Sequence, residues 1–308
     1  MRILYLIGNG FDLNLGMNTR YIDFYNYYQT VKARSNVVIE LKERISADLK
    51  NWSDLEIAFG QHTQYIKTTE DFDVLYADLE DNLADYLHKQ VNKFDFSKID
   101  TEKFYKDLIY PESHLTQADK LKINEIRKNK SSNANIIDIV TFNYTESIES
   151  ILGEQQSDIL LKSNSNNPTK LTGVEHIHGY LDNRMVLGVN DISQISNMDF
   201  HSNQDVLETL IKIDCNKTSK HNIDLKCKSL IKAADLICIF GCSLGATDNF
   251  WWNLIGDQFK RQAALIIYEK GEKIPARRSQ LIGRREREIK DYFIAKTNLD
   301  DNEKENAN

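Results

Sequence analysis

MRILYLIGNGFDLNLG, residues 1–16, is the stretch from which the fold follows. Ile3–Ile7 is an apolar run that ends in Gly8-Asn9-Gly10. A run of that length without polar alternation reads as a strand buried on both faces, as in a parallel sheet. The glycines behind it read as a tight loop leading into a helix. In an open α/β sheet, the carboxyl end of the first strand borders the ligand crevice. Gly8 and Gly10 can adopt positive φ and let a ligand approach the main chain. Amides at the start of the following helix favour phosphate. A plain β–α turn uses the same residues, so the loop gains meaning from the segments that converge on it.

The same pattern returns further along. Ile136–Phe142 (IIDIVTF), Leu236–Phe240 (LICIF) and Ala263–Tyr268 read as buried strands, and Val174–His178 and Met185–Leu187 as two short strands about a turn at 179–184. Helices are expected at Glu146–Leu152, with Thr145 as N-cap, from about Leu225 to Ala234, and from about Asp248 to Arg261. Ser163–Lys170 (SNSNNPTK) reads as a loop. Between the first two strands, Tyr21–Tyr28 is aromatic at helical spacing. Val37–Leu49, Asp73–Val91 and Lys103–Leu108 place apolar residues three and four apart, the mark of amphipathic helices. The expected fold is therefore α/β: a doubly wound, mostly parallel, Rossmann-like sheet with a large helical insertion at about residues 30–130. One domain over residues 1–296 and a disordered acidic tail over 297–308 complete the expectation.

Composition sets the outer limits. The 308 residues, 41% hydrophobic, suffice for one large α/β domain with an insertion. A net charge of -7 argues against an extended nucleic-acid surface. The locally basic stretch Arg277–Lys290 interleaves its arginines with Glu286 and Glu288 and reads as a self-paired helix face. Cys215, Cys227, Cys238 and Cys242 fall in no CxxC spacing, so they read as reduced thiols of a cytoplasmic protein. No run reaches the length of a membrane span, and no secretory signal precedes the first strand.

Several strand ends carry small or polar residues: Gly8-Asn9-Gly10, Thr141–Tyr144, His176–Gly179 and Gly241–Gly245. In a doubly wound sheet such ends converge on one crevice. Asn143 offers a donor and an acceptor with which to orient a water or a ribose hydroxyl. His178, beside a glycine that opens space, suits a general base, although a core histidine is the competing reading. Ser243 suits a phosphate or ribose contact. Asp12 either complements a helix dipole or lines the ribose pocket. Asp248 either caps the helix it precedes or joins the site. His176 and His178 share a face if both lie on a strand. Glu175 then faces away and no third ligand stands at a diagnostic spacing, so no metal is expected.

These residues fall within a larger set of motifs. GNGFDL at the N-terminus, WSDLE at Trp52–Glu56, TFNYT at Thr141–Thr145, HIHG at His176–Gly179, LGVND at Leu187–Asp191 and FGCSLGATDNFWW at Phe240–Trp252 together resemble the bacterial abortive-infection AbiH family. The resemblance runs from about Ile3 to Tyr268. It implies a role in defence against bacteriophage, in which an infected cell is sacrificed or arrested. Gly-x-Gly, Thr-x-Asn, His-Gly and Gly-x-Ser, in that order, are also similar to the signatures of sirtuin-like proteins. That similarity implies NAD as ligand, with Gly8 and Gly10 at the phosphate loop and Gly241 and Ser243 at a second ribose-phosphate loop. Asn143 and His178 match the catalytic pair, while Asn9, Phe11, Tyr144, Leu244 and Asp248 complete the nucleotide-binding set.

The paired CxxC zinc motifs of deacylating sirtuins are missing, so the resemblance implies NAD cleavage at the nicotinamide–ribose bond. Asn143 then positions water, His178 accepts a proton and Asp12 stabilises the developing positive charge. The insertion is expected to serve as a lid or an oligomer surface, answering to a phage-derived trigger or an operon partner. The alternatives are a nucleotide-binding sensor without turnover and a metal-assisted hydrolase or nuclease.

Overall fold

The structure, a computed structural model, describes residues 1–130, 134–162, 168–271, 274–278 and 280–306. Its strands form a single sheet: β1 (Arg2–Ile7), β2 (Asn135–Thr141), β3 (Ile159–Lys162), β4 (Thr169–His176), β5 (Leu236–Phe240) and β6 (Ala264–Tyr268). Their order is β3-β4-β2-β1-β5-β6. Neighbours are parallel throughout except β3 and β4, which are antiparallel. Along β1, Ile3, Tyr5 and Ile7 enter one hydrophobic layer while Leu4 and Leu6 enter the other. Burial on both faces explains why this strand shows no polar alternation.

Two elements depart from the sequence expectation at the sheet. β3 was not foreseen, because it is a four-residue edge strand with Leu160 exposed, too short to display a period. Met185–Leu187, expected as a strand, is buried extended chain that touches the sheet end through Val186 N donating to His178 O (2.8 Å). The turn before it does form, closed by an antiparallel bridge between Tyr180 and Asn183. Much of the expected loop at 163–170 lies outside the described residues, and Thr169 and Lys170 already belong to β4.

Helices α1 (Gly10–Leu15), α2 (Tyr21–Tyr28), α3 (Asn36–Ala47), α4 (Leu55–His62), α5 (Thr69–Lys93), α6 (Thr101–Ile109) and α7 (Gln117–Asn129) all lie between β1 and β2. They do two different jobs. α2 to α5 build a core around Phe24, Tyr28, Leu41, Phe59, Phe72 and Leu79 together with the later segment from Met185 to Ile211. α6 and α7 instead lay Leu108, Ile109 and Ile123 on the sheet, beside Ile148 and Leu152 of α8 (Ser147–Leu152). The insertion thus starts earlier than residue 30, and its second half is the cover of one sheet face.

The remaining helices are α9 (Gln204–Leu210), α10 (Lys212–Thr218), α11 (Ile223–Ala233), α12 (Asn249–Phe259), α13 (Gln280–Ile294) and α14 (Asp301–Asn306). Cys227 and Ile231 of α11, Trp252 and Ile255 of α12, and Phe293 of α13 cover the opposite face. Helices on both faces make the sheet doubly wound. Toward the C-terminal end Leu299 is buried, and Glu303 of α14 pairs with Lys260 at 2.9 Å. Among the described residues, no helix is long and apolar enough to cross a membrane.

The chain leaves β1 toward β2 on one side and leaves β5 toward β6 on the other, so the strand order reverses between β1 and β5. That is the switch point at which a crevice opens. The two loops there interlock. Gly8 N donates to Phe240 O (2.9 Å) and Gly10 N to Gly241 O (2.8 Å). A methyl group on Gly10 would lie 2.5 Å from Gly241 Cα, and Gly241 itself has φ of 69°. Gly10→Ala therefore forces main chain apart. We expect a loss of about 1–3 kcal/mol, measured by urea unfolding; stability equal to wild type would show that the loops part freely.

Candidate functional site

A cavity of about 540 Å³ lies over this switch point. Its wall includes Gly8, Asn9, Gly10, Asp12, Asn143, Tyr144, His178, Gly241, Ser243 and Asp248. The strand ends expected to converge do so. Two residues expected at the site lie elsewhere. Phe11 is buried against Phe104 and Phe240, edge to face at 6.2 Å each, because the first turn of α1 faces the sheet cover. Leu244, with φ of 53°, turns its side chain into the opposite core layer.

The glycine loop is built for contact between loops. With the Gly8 and Gly10 amides engaged by the β5 end, these glycines are not free phosphate donors. Asn9 fastens the loop to Thr19, donating to its carbonyl (2.9 Å) and accepting from its hydroxyl (2.6 Å). Asp12 follows in the first turn of α1 and is almost wholly buried. Thr145 Oγ1 donates to Asp12 Oδ2 at 2.5 Å, so Thr145 does not cap α8 as its sequence position suggests. Burial raises the Asp12 carboxyl to about 6, against the lowering pull of Thr145, Ser147, His176 and Asn143. Asn143 is held by its main chain: its N–H donates to Thr141 Oγ1 (3.1 Å), which in turn donates to Ile7 O (3.0 Å).

His178 and Asp248 meet a buried charge cluster that sequence reasoning did not find. His178 Nε2 lies 3.1 Å from Asp248 Oδ1, outside straight hydrogen-bond geometry. Lys212 Nζ reaches both Asp248 Oδ1 (3.0 Å) and Glu56 Oε2 (2.8 Å). Tyr144 sits above, its hydroxyl donating to Val186 O (2.9 Å) and lying 3.4 Å from Glu56 Oε1. Burial pushes the Asp248 carboxyl up, but Lys212 and His178 outweigh it and hold it below the usual carboxylate range. Burial likewise pushes Glu56 up, and there Lys212 compensates only in part. Burial lowers Lys212, yet Asp248 and Glu56 more than restore it, so the ammonium stays charged.

Asp248 consequently does not cap α12. Asn190 of the LGVND motif does, its Oδ1 accepting from Phe250 N at 3.0 Å. Asp54 of the WSDLE motif caps α4, accepting from the amides of Glu56 and Ile57. Glu56 and Lys212 each carried one faint signal. Glu56 is a charge inside the apolar helix LEIAFG, and Lys212 is a lone cation between Leu210, Ile211 and Ile213.

His176 and His178 do not share a ligand position. Both nitrogens of His176 are engaged, Nδ1 with Asn143 O and Nε2 with Glu149 Oε1, 2.8 Å each. Among the described residues, no group of three or more His, Cys, Asp and Glu side chains is placed to hold a metal ion. The four cysteines are free thiols.

An open sheet with helices on both faces and a polar cavity at its switch point places this chain among doubly wound α/β proteins, whose ligands bind at that crevice. More specifically, the chain belongs to the bacteriophage abortive infection AbiH family, whose model matches residues 4–269. The match spans the sheet, the insertion and every cavity-lining residue except Lys270. No curated protein matches it in sequence.

Two stability measurements probe this electrostatics. Lys212→Met leaves Glu56 and Asp248 buried without their cation and should lose about 3–5 kcal/mol; an unchanged melting temperature would place the pair in water. Asp12 behaves in the opposite sense. With its folded pKa near 6 against 3.8 for a free aspartate, its stabilising contribution is full below pH 3.8 and lost as pH rises through about 6. Asp12→Asn should therefore be more stable than wild type at pH 8, by up to about 3 kcal/mol, with the gap closing by pH 4. A gap independent of pH would contradict the buried carboxyl.

Proposed function

We propose that this protein is an abortive-infection effector that hydrolyses NAD at the bond between nicotinamide and ribose. The supporting observation is that Asn143, His178 and Asp12 line one cavity, whose volume falls in the range of ordinary small-molecule sites. The motif order Gly-x-Gly, Thr-x-Asn, His-Gly and Gly-x-Ser supports NAD as the ligand. The role in phage defence follows from the family.

The chemistry runs as a substitution at the ribose anomeric carbon. The bond to the pyridinium nitrogen breaks, its electron pair stays on that nitrogen, and neutral nicotinamide leaves. The sugar passes through an oxocarbenium-like state that a nearby carboxylate favours. Asp12, ionised above about pH 6, supplies that charge. Asn143 orients the ribose hydroxyls and the incoming water. His178, steadied by Asp248 at Nε2, accepts the water proton as the new C–O bond forms. The products are ADP-ribose, nicotinamide and a proton. With the glycine amides engaged, Ser243 and Lys270 on the cavity wall are the groups that meet the phosphates.

Leu83 and Leu87 of α5 and Glu56 of α4 form part of the same wall, so the insertion acts as a lid over the substrate. A phage-derived trigger or a partner protein moves it, and a second copy of the chain is a further candidate for that contact. Purified protein incubated with NAD, with and without infected-cell lysate, should release nicotinamide whether or not a chelator is present. His178→Ala and Asn143→Ala should each lower the rate by about 100- to 10,000-fold. Turnover should also decline as pH falls through about 6, and Asp12→Asn should flatten that limb. Saturable NAD binding without product under triggered conditions would replace the enzyme with a sensor. Chelator-sensitive nucleic-acid cleavage would replace it with a metal-assisted nuclease.

A further inference from the structure

A second buried polar chain lies behind the cavity and takes no part in the step above. Glu149 of α8, His176 at the end of β4 and the main-chain carbonyl of Asn143 are joined through one imidazole ring. Each contact is 2.8 Å, and the His176 side chain is completely buried. Tyr180 stacks on the ring at 4.2 Å, and Arg184 Nη2 donates to the His176 carbonyl at 3.1 Å. The ring is therefore held at both nitrogens and against one face.

Space filling does not require this arrangement. A buried acid–imidazole pair gains no stability over apolar residues of the same volume. The Asn143 carbonyl can only accept, so Nδ1 donates to it and Nε2 is left facing the Glu149 carboxyl. The ring also stands near Asp12, where it counts among the groups that oppose the upward push of burial on that carboxyl. The Asn143 main chain is tied at both ends, through its N–H to Thr141 and through its carbonyl to His176. The direction of its carboxamide depends on those ties, and a displacement of about 1 Å at a reacting centre costs roughly 100-fold in rate.

We propose that Glu149 and His176 are a positioning pair for Asn143: the imidazole couples α8 to the Asn143 carbonyl and so fixes the carboxamide at the cavity wall. The inference rests on the reading of Asn143 as the residue that orients water and ribose, and it adds residues that the motif resemblance leaves without a role.

His176→Phe keeps a ring against Tyr180 and removes both contacts. Glu149→Gln keeps the shape and removes the charge. For His176→Phe we expect kcat for NAD, per folded molecule, to fall about 10- to 100-fold, with KM within about threefold of wild type. Glu149→Gln should lie between that variant and wild type. A substrate-free readout runs alongside: the side-chain amide signal of Asn143 in protein labelled with ¹⁵N-asparagine. It should be single and sharp in wild type, and shifted and broadened or doubled in His176→Phe. If that variant does not fold, Glu149→Gln should still shift the signal.

Unchanged kcat per folded molecule, or a rise in KM alone, would overturn the proposal. So would an amide signal identical in all three proteins. Absence of NAD turnover in triggered wild type would count against the hydrolase reading only, and the amide signal would then decide the positioning role.

Discussion

At the head of the sheet, main chain rests directly on main chain. Gly10 and Gly241 come so close that neither tolerates a side chain, and their amide and carbonyl close a hydrogen bond across the gap. This contact ties the loop after β1 to the loop after β5 at the point where the strand order reverses. The cavity exists because the loops meet below it and leave the strand ends open above. The sequence pattern Gly-Asn-Gly suggested a cradle for phosphate. The structure uses it first as a joint, and donors for an anion must come from elsewhere on the wall.

A second constraint couples the insertion to the sheet. Lys212 lies between a carboxylate from α4, in the insertion, and one from the loop after β5. Taking three charges out of water is costly, and only their mutual neutralisation makes it tolerable. The cluster therefore acts best as a register pin: it is satisfied in one placement of the insertion over the cavity and strongly disfavoured in others. Asp12 adds a cost of another kind, a carboxylate held in a site that favours its neutral form. Residues that destabilise a fold tend to stand where function requires them.

The misreadings share a cause. Thr145 occupies a position where short polar residues normally cap helices, and Asp248 is open to that reading as well as to a place in the site. In the folded chain, Asp12 draws the Thr145 hydroxyl away, and Lys212 with His178 draws the Asp248 carboxylate away. Asn190, distant in sequence, takes over the cap of α12. Phe11 and Leu244 adjoin motif residues along the chain, but their side chains enter the cores on the two sides of the sheet.

What the chain determines by itself is the set of local periods. Apolar runs at β1, β2, β5 and β6 and helical spacing through the insertion follow from burial geometry, and each is legible within a window of a few residues. The convergence of the strand ends on one cavity was also legible, since a parallel doubly wound sheet puts all such ends on one edge. Tertiary structure alone decided which side chains face that cavity and which charges pair behind it. Glu56 and Lys212 are 156 residues apart, and His176 and Glu149 are joined across a strand and a helix. Pairings of that kind arise from close approach in space in a low-dielectric interior, and no local pattern along the chain encodes them.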